Sequence, residues 1–180
     1  MKKEIKTLLF ILWGSLLLYF PGTSFSEPSL TQKVFTGYEL AQDWDIVAAE
    51  EVANALLEKY PESGDAHFLS ARIEFLKGNY DRAWEILKRV GDNFKEVADF
   101  KKRVNATRKA SKNFITRETE HFLLRYEEGP DEILLHYAEE ALEKSYQVLG
   151  KILGHFPEEK VLIEIYPDRE PFSKISPLTL

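Results

Sequence analysis

The sequence predicts a mainly α fold, in which helical hairpins and a capping helix are followed by a partial α/β unit of order β-β-α-β. Three observations support this prediction. Small and apolar residues recur every 34 positions in the first half, the spacing changes from helical to alternating near Asn113, and a nearly continuous apolar run follows the last helical stretch. At 180 residues, 44% of them hydrophobic, the chain can bury one good core or two small ones.

Composition excludes several classes of function. The formal net charge is −6, which argues against a nucleic-acid partner and against an anionic membrane surface. The chain has no cysteine, so it can form no disulfide, no thiolate metal site and no lipid anchor through a cysteine. Its stability must therefore come from packing.

Residues 1–26 have the layout of a secretory signal peptide. Three lysines precede an apolar run over Thr7–Phe20, and a small residue at Ser24 and another at Ser26 mark a cleavage site. This run is shorter than the roughly 20 residues that a membrane span needs, which favours cleavage over an uncleaved anchor in the inner membrane. We expect an exported protein, periplasmic or extracellular.

The period of 34 places residues of the same kind in equivalent positions of two helical hairpins. Trp44 and Gly78 both stand just before a second helix, and Lys77–Asp81 has the composition of a tight turn. Pro61 is suited to close the first unit, because it cannot continue a helix, whereas the second unit has Lys95 at that point. The other equivalent pairs are Gly37 with Ala71, Ala49 with Ala83, Ala53 with Leu87, and Leu56 with Val90.

These positions resemble the tetratricopeptide repeat, in which small residues allow the two helices of a unit to cross closely. The resemblance implies two repeats over residues 30–97 and a capping or linker helix over 98–112, with a basic outer face that we interpret as solvated. It also implies a concave groove that binds a protein or peptide. The alternative is that the aromatic groove residues pack against a neighbouring helix. The candidate groove residues are Val34, Tyr38, Phe68, Arg72 and Phe75.

Residues 113–180 have a different pattern. Phe114–Tyr126 reads as two short strands with a polar break at Glu118–Glu120. An apolar stripe that begins at Leu134 and ends before Gly154 predicts the clearest helix in the chain. Val161–Tyr166 then predicts a strand covered on both faces, and with so few residues after it the α/β unit is expected to be incomplete.

The order of Thr119–Phe122, Arg125–Tyr126, a long helix and Val161–Asp168 resembles the opening of peptidase MA-like domains, which are thermolysin-type zinc peptidases. In that family a later helix carries H-E-x-x-H, whose histidines hold zinc while the glutamate activates water. No such motif occurs in these 180 residues. The resemblance therefore implies a zinc metallopeptidase only if the motif lies beyond residue 180.

Other histidines give no complete site. His136 and Glu140 share one helix face and His155 follows that helix, which is the minimum that suggests metal ligands. We interpret His136 as a boundary residue, His67 as packing and His121 as a strand residue at a sheet edge. No catalytic, cofactor-binding or metal-binding residue is assigned. The sequence thus predicts a repeat protein that binds other proteins, with the front end of an exported zinc peptidase as the alternative.

Overall fold

The computed structural model describes residues 27–92, 95–129, 132–157 and 159–167. The predicted signal peptide, residues 1–26, lies outside the described residues. Within them the chain is mainly helical, with a small mixed sheet toward its C-terminal end, as predicted. In chain order the elements are α1 (Leu30–Gln42), α2 (Ile46–Lys59), α3 (Gly64–Leu76), α4 (Tyr80–Leu87), α5 (Lys95–Ala110), β1 (Ile115–Glu118), β2 (Phe122–Tyr126), α6 (Glu132–Leu153) and β3 (Val161–Ile165).

Helices α1 to α4 form two helical hairpins, which we call the repeat module together with α5. The small residues that the period identified are buried where the helices cross: Ala49, Ala71 and Ala83 have no exposed surface. Gly37 is buried as well, and a Cβ at this position would collide with Leu69 of α3. The period of 34 therefore marks the positions where helix axes approach most closely.

The turn inside each hairpin has the same backbone geometry. Trp44 and Gly78 both have positive φ angles, of 62° and 75°. One residue later, Asp45 N–H donates to Leu40 O at 3.0 Å and Asn79 N–H donates to Glu74 O at 2.8 Å. This is the Schellman arrangement, which satisfies a carbonyl at the end of a helix and normally has glycine in the left-handed position. Trp44 is thus a bulky residue in a glycine position.

Helix α5 begins and ends earlier than predicted, at Lys95 and Ala110 rather than over 98–112. The start is early because Lys95, unlike the proline that closes the first repeat, is compatible with a helix. The end is early because Ser111 O accepts the Phe114 N–H at 3.1 Å in a turn that leads into β1.

The module has two adjoining cores. Leu56, Leu69 and Ile73 are the largest fully buried side chains of the first core, and Leu87 and Val104 are those of the second. Helix α3 contributes to both cores, since its residues on opposite faces pack against α1 and α2 on one side and against α4 and α5 on the other. α3 is therefore the central helix of the module.

The strands form one sheet in the order β1-β2-β3, which confirms the predicted β-β-α-β unit. β1 pairs with β2 antiparallel, and β3 pairs with β2 in parallel after the crossover through α6. One face of the sheet meets the repeat module, where Arg125 Nη1 donates to Gly78 O at 2.7 Å. The other face meets α6, where the rings of Phe122 and Tyr146 are 6.1 Å apart.

The predicted helix is present as α6, whereas one expectation about β3 is wrong. Strand β3 is not fully covered, because its first four residues are half-buried and Ile165 is exposed. Much of the apolar stripe of α6 is exposed as well, at Leu134, Leu149 and Ile152, and the buried residues of the helix are Leu135 and Gly150. The apolar residues of α6 extend over more of its circumference than the sheet can cover.

Candidate functional site

The candidate groove lies on the side of the repeat module formed by α1, α3 and α5. Phe100 of α5 projects into it and contacts two of the predicted groove residues edge to face, Phe68 at 5.5 Å and Phe75 at 5.4 Å between ring centroids. Tyr38 meets Phe68 at 6.3 Å on the far side. The aromatic rings therefore form a continuous row across the module, and the capping helix fills much of the groove floor.

Arg72 lies on top of this row. Its guanidinium is 5.2 Å from the centre of the Tyr38 ring and 5.9 Å from that of Phe100. Its Nη1 also donates to Glu96 Oε1 at 3.3 Å. The Arg72 side chain keeps 32% of its surface exposed and Glu96 keeps 72%. A guanidinium held between two rings is attracted to both faces and loses less freedom when it binds a partner.

The five predicted groove residues do not share one environment. Val34 is buried in the first core and Phe68 in the second, so neither offers surface to a partner. Tyr38, Arg72 and Phe75 are half-buried and lie around Phe100. Burial raises the pKa of the Tyr38 phenol, and the nearby Arg72 cation opposes that rise only in part.

Sequence reasoning missed Phe100 and Glu96 as members of this site. Both lie on the helix that was interpreted as a cap. A continuation of the 34-residue period would not have found them, because the start of α5 is 31 positions after the start of α3 rather than 34. The available signal was the helical spacing of Phe100 with the apolar residues Val97 and Val104.

A separate cleft of about 940 Å³ lies between the module and the sheet. Five cations line it, but three have carboxylate partners: Arg82 with Glu74, Arg108 with Asp81, and Arg125 with Glu164. Among the described residues, Lys109 and Lys112 form no ion pair. The basic face of α5 is thus partly neutralised by the repeats, and the cleft is only weakly suited to an anion.

A cluster at the β1–β2 turn contains a histidine and two glutamates. His121 Nδ1 lies 2.6 Å from Glu143 Oε2, and because an ionised carboxylate only accepts, the ring donates through Nδ1. Glu143 Oε1 also accepts from Thr119 Oγ1 at 2.6 Å and from the His121 N–H at 3.0 Å. Tyr146 stacks on the imidazole with its centroid 3.7 Å away.

The electrostatics of this cluster favour an ionised Glu143. Burial disfavours the charged carboxylate, but the hydrogen bonds from Thr119 and from His121 outweigh it and lower the pKa of Glu143 from 4.5 to about 2. Glu120, His121 and Glu143 each offer one ligand atom, and these atoms all lie within 4.8 Å of one another, so three side chains could contact a divalent cation here. Both oxygens of Glu143 already accept hydrogen bonds from Thr119 or His121. These bonds join α6 to the β1–β2 turn.

The remaining histidines lie apart from that cluster. His136 and His155 are exposed and belong to no cluster of potential metal ligands among the described residues. His67 is buried and its Nε2 lies 2.9 Å from Pro61 O, the carbonyl of the proline that closes the first repeat. His121 lies in the β1–β2 turn, directly before β2, rather than within a strand.

Comparison with known proteins adds no assignment to these features. No protein-family model, curated protein or solved structure matches the chain. In the part of the chain that the structure describes, no helix is both long enough and apolar enough to cross a membrane.

Proposed function

We propose that this chain binds a protein or peptide partner through its repeat module, at the surface around Arg72. The observation that carries the proposal is the arrangement of Arg72 between the Tyr38 and Phe100 rings, with Glu96 beside it. Arginine and tyrosine are over-represented among residues that dominate binding energy, above all where their conformations are fixed beforehand. The rest of the groove floor is closed by Phe100, which restricts contact to the rim.

A peptide-display selection on the purified protein tests this proposal. We expect selected peptides to lose at least about tenfold in affinity on Arg72→Glu, because a tenfold loss corresponds to about 1.4 kcal/mol. The matched control is Arg89→Glu, since Arg89 lines a groove formed by α2, α3 and α4 on the opposite face of α3. A failure to select peptides, or equal losses for both variants, would contradict the proposal.

The proposed location is outside the cytoplasm, after removal of residues 1–26. The support is the charged, apolar and small-residue order of that segment. Sequencing the N-terminus of the protein recovered from the periplasm or medium tests it, with a start at Glu27 expected. A mature start at Met1 would contradict cleavage.

A second candidate is the front end of an exported zinc-dependent peptidase. The observation that favours it is the β-β-α-β unit itself, whose strand β3 pairs with one neighbour only among the described residues. Under this proposal the repeats hold a catalytic domain near its substrate, and zinc binds at residues beyond 180. The coding sequence after codon 180 tests it: an in-frame H-E-x-x-H is expected, and a stop codon directly after Leu180 would exclude it.

A further inference from the structure

Helix α6 carries seven of the thirteen large hydrophobic residues that are exposed among the described ones, most of them on its outward side. A water-soluble helix normally exposes polar residues on this side. Here none of the described residues covers the apolar ones, which are between 48% and 74% exposed. We call six of them the α6 face: Ile133, Leu134, Tyr137, Val148, Leu149 and Ile152. The seventh, Leu153, lies five helical turns after the buried Leu135 and therefore on the side of the sheet.

The α6 face is symmetric about the middle of the helix. Residues equally distant from position 143 are apolar on both sides: Leu134 corresponds to Ile152, and Tyr137 corresponds to Leu149. An antiparallel pairing of two identical helices across a two-fold axis puts such residues opposite each other. The α6 face is thus complementary to itself.

The centre of the face permits close approach. Ala141 and Ser145 lie there, both exposed and both small. They are equally distant from position 143 as well, so each would lie opposite the other in an antiparallel pair. Small residues at a crossing point allow the two helix axes to come within the short distances seen between packed helices.

The charges along α6 agree with the same pairing. Glu132 and Glu140 are exposed in the N-terminal half, and Lys144 and Lys151 are exposed in the C-terminal half. Glu139 and Glu143 point to the sheet side instead, where they contact Arg117 and His121. An antiparallel arrangement brings the acidic half of one helix alongside the basic half of the other. Glu140 of one copy would then lie near Lys144 of the second copy, whereas a parallel pair would place like charges together.

The area of the face is sufficient for a stable dimer. Six large apolar side chains that each expose on the order of 100 Å² supply most of the roughly 800 Å² that each partner contributes to a standard interface. A membrane surface is a poorer occupant, because α6 carries four glutamates against two lysines and would be repelled by anionic lipids.

We propose that the α6 face binds the α6 face of a second copy of this chain, antiparallel, across a two-fold axis between Ala141 and Ser145. The inference is independent of what the repeat module binds. Its consequence is a dimer that carries two repeat modules, so that a partner with two binding segments would be held more tightly than by one module.

Analytical ultracentrifugation of the mature chain tests whether it dimerises. We expect a dimer that Ile152→Asp weakens by about a hundredfold or more, because the change places a charge in the interface twice. Val47→Asp is the matched control, since Val47 is an exposed valine of the repeat module. Both side chains are more than half exposed, so both variants should keep the wild-type circular dichroism.

Cysteine cross-linking tests the direction of the pairing, because the chain has no cysteine of its own. The double variant Tyr137→Cys with Leu149→Cys should form an oxidised dimer readily, whereas Tyr137→Cys alone should not, since only a parallel pair would bring two copies of position 137 together. The reverse pattern would overturn the antiparallel arrangement.

Three other results would overturn the proposal. A wild-type chain that stays monomeric up to about millimolar concentration, near the upper end of weak association, would show that no second copy binds. A dimer that appears only after deletion of residues 168–180 would show that the chain covers its own face. Co-sedimentation of the wild type, but not of Ile152→Asp, with vesicles of phosphatidylcholine and phosphatidylglycerol would show that the occupant is a membrane.

Discussion

Gly78 is the residue at which the repeat module meets the sheet, and replacing it with alanine tests how the two are joined. Its φ angle of 75° lies in the left-handed region. A Cβ there would collide with Leu162 of β3 and come within 2.7 Å of Arg125 Nη1. Its carbonyl accepts the hydrogen bond from Arg125. The Gly78→Ala change therefore strains the turn and separates the turn from the sheet.

The expected loss of stability has two parts. A non-glycine residue in the left-handed region costs about 1–2 kcal/mol. Forcing one extra methyl group against a packed side chain costs typically 1–3 kcal/mol more, toward the lower end here because Arg125 can shift. We expect Gly78→Ala to lower the free energy of unfolding by about 2–4 kcal/mol.

Urea unfolding of the mature chain, followed by circular dichroism, measures this loss. The matched control is Gly64→Ala, because a Cβ at Gly64 meets nothing within 4 Å and its φ angle is not positive. We expect the control to be neutral or slightly stabilising, since alanine restricts the unfolded chain. If Gly78→Ala unfolds at the same urea concentration as the control, close contact between Gly78 and the sheet does not contribute to stability.

Three further changes have expected outcomes. Trp44→Gly should raise the free energy of unfolding by about 1 kcal/mol in the same urea assay, because it relieves a positive φ of 62° at a side chain that is 71% exposed; an unchanged or lower value would contradict the strain. Leu69→Ala should cost about 2–5 kcal/mol, as it opens a cavity between α1 and α3; a loss below about 1 kcal/mol would show that Leu69 is not a core residue. Glu143 has its pKa lowered from 4.5 to about 2, so its contribution to stability is complete above pH 4.5 and is lost as the pH falls toward 2. The free energy of unfolding should therefore change less across this pH range in Glu143→Gln than in the wild type. An equal change in both proteins would count against the hydrogen bonds to Glu143.

Much of the fold could be predicted because the relevant signals are local. The repeat period follows from the small residues at Gly37 and Ala49 and their equivalents, since two helices can cross closely only where the side chains between them are small. The position before each second helix was identified at Trp44 and Gly78, and both turns have the same backbone conformation. The order β-β-α-β followed from the change of hydrophobic period near Asn113.

The parts that could not be predicted depend on contacts between distant residues. The bond between His121 and Glu143 joins positions 22 apart, and no sequence spacing identifies it. The closing of the groove by Phe100 depends on where α5 packs against α3. The buried side of α6 does not follow from spacing either, because its apolar residues lie both toward the sheet and on the α6 face, and periodicity cannot tell which one is covered.

Site-specific photo-crosslinking in the cells that make the protein is the most direct test of partner binding at the groove. A photo-reactive amino acid at Glu96, which is exposed beside Arg72, is compared with one at Glu58, an exposed position of α2. The proposal predicts a discrete cross-linked product from position 96 that is lost on Arg72→Glu, and none from position 58. No product at position 96, or the same products from both positions, would contradict partner binding at this surface.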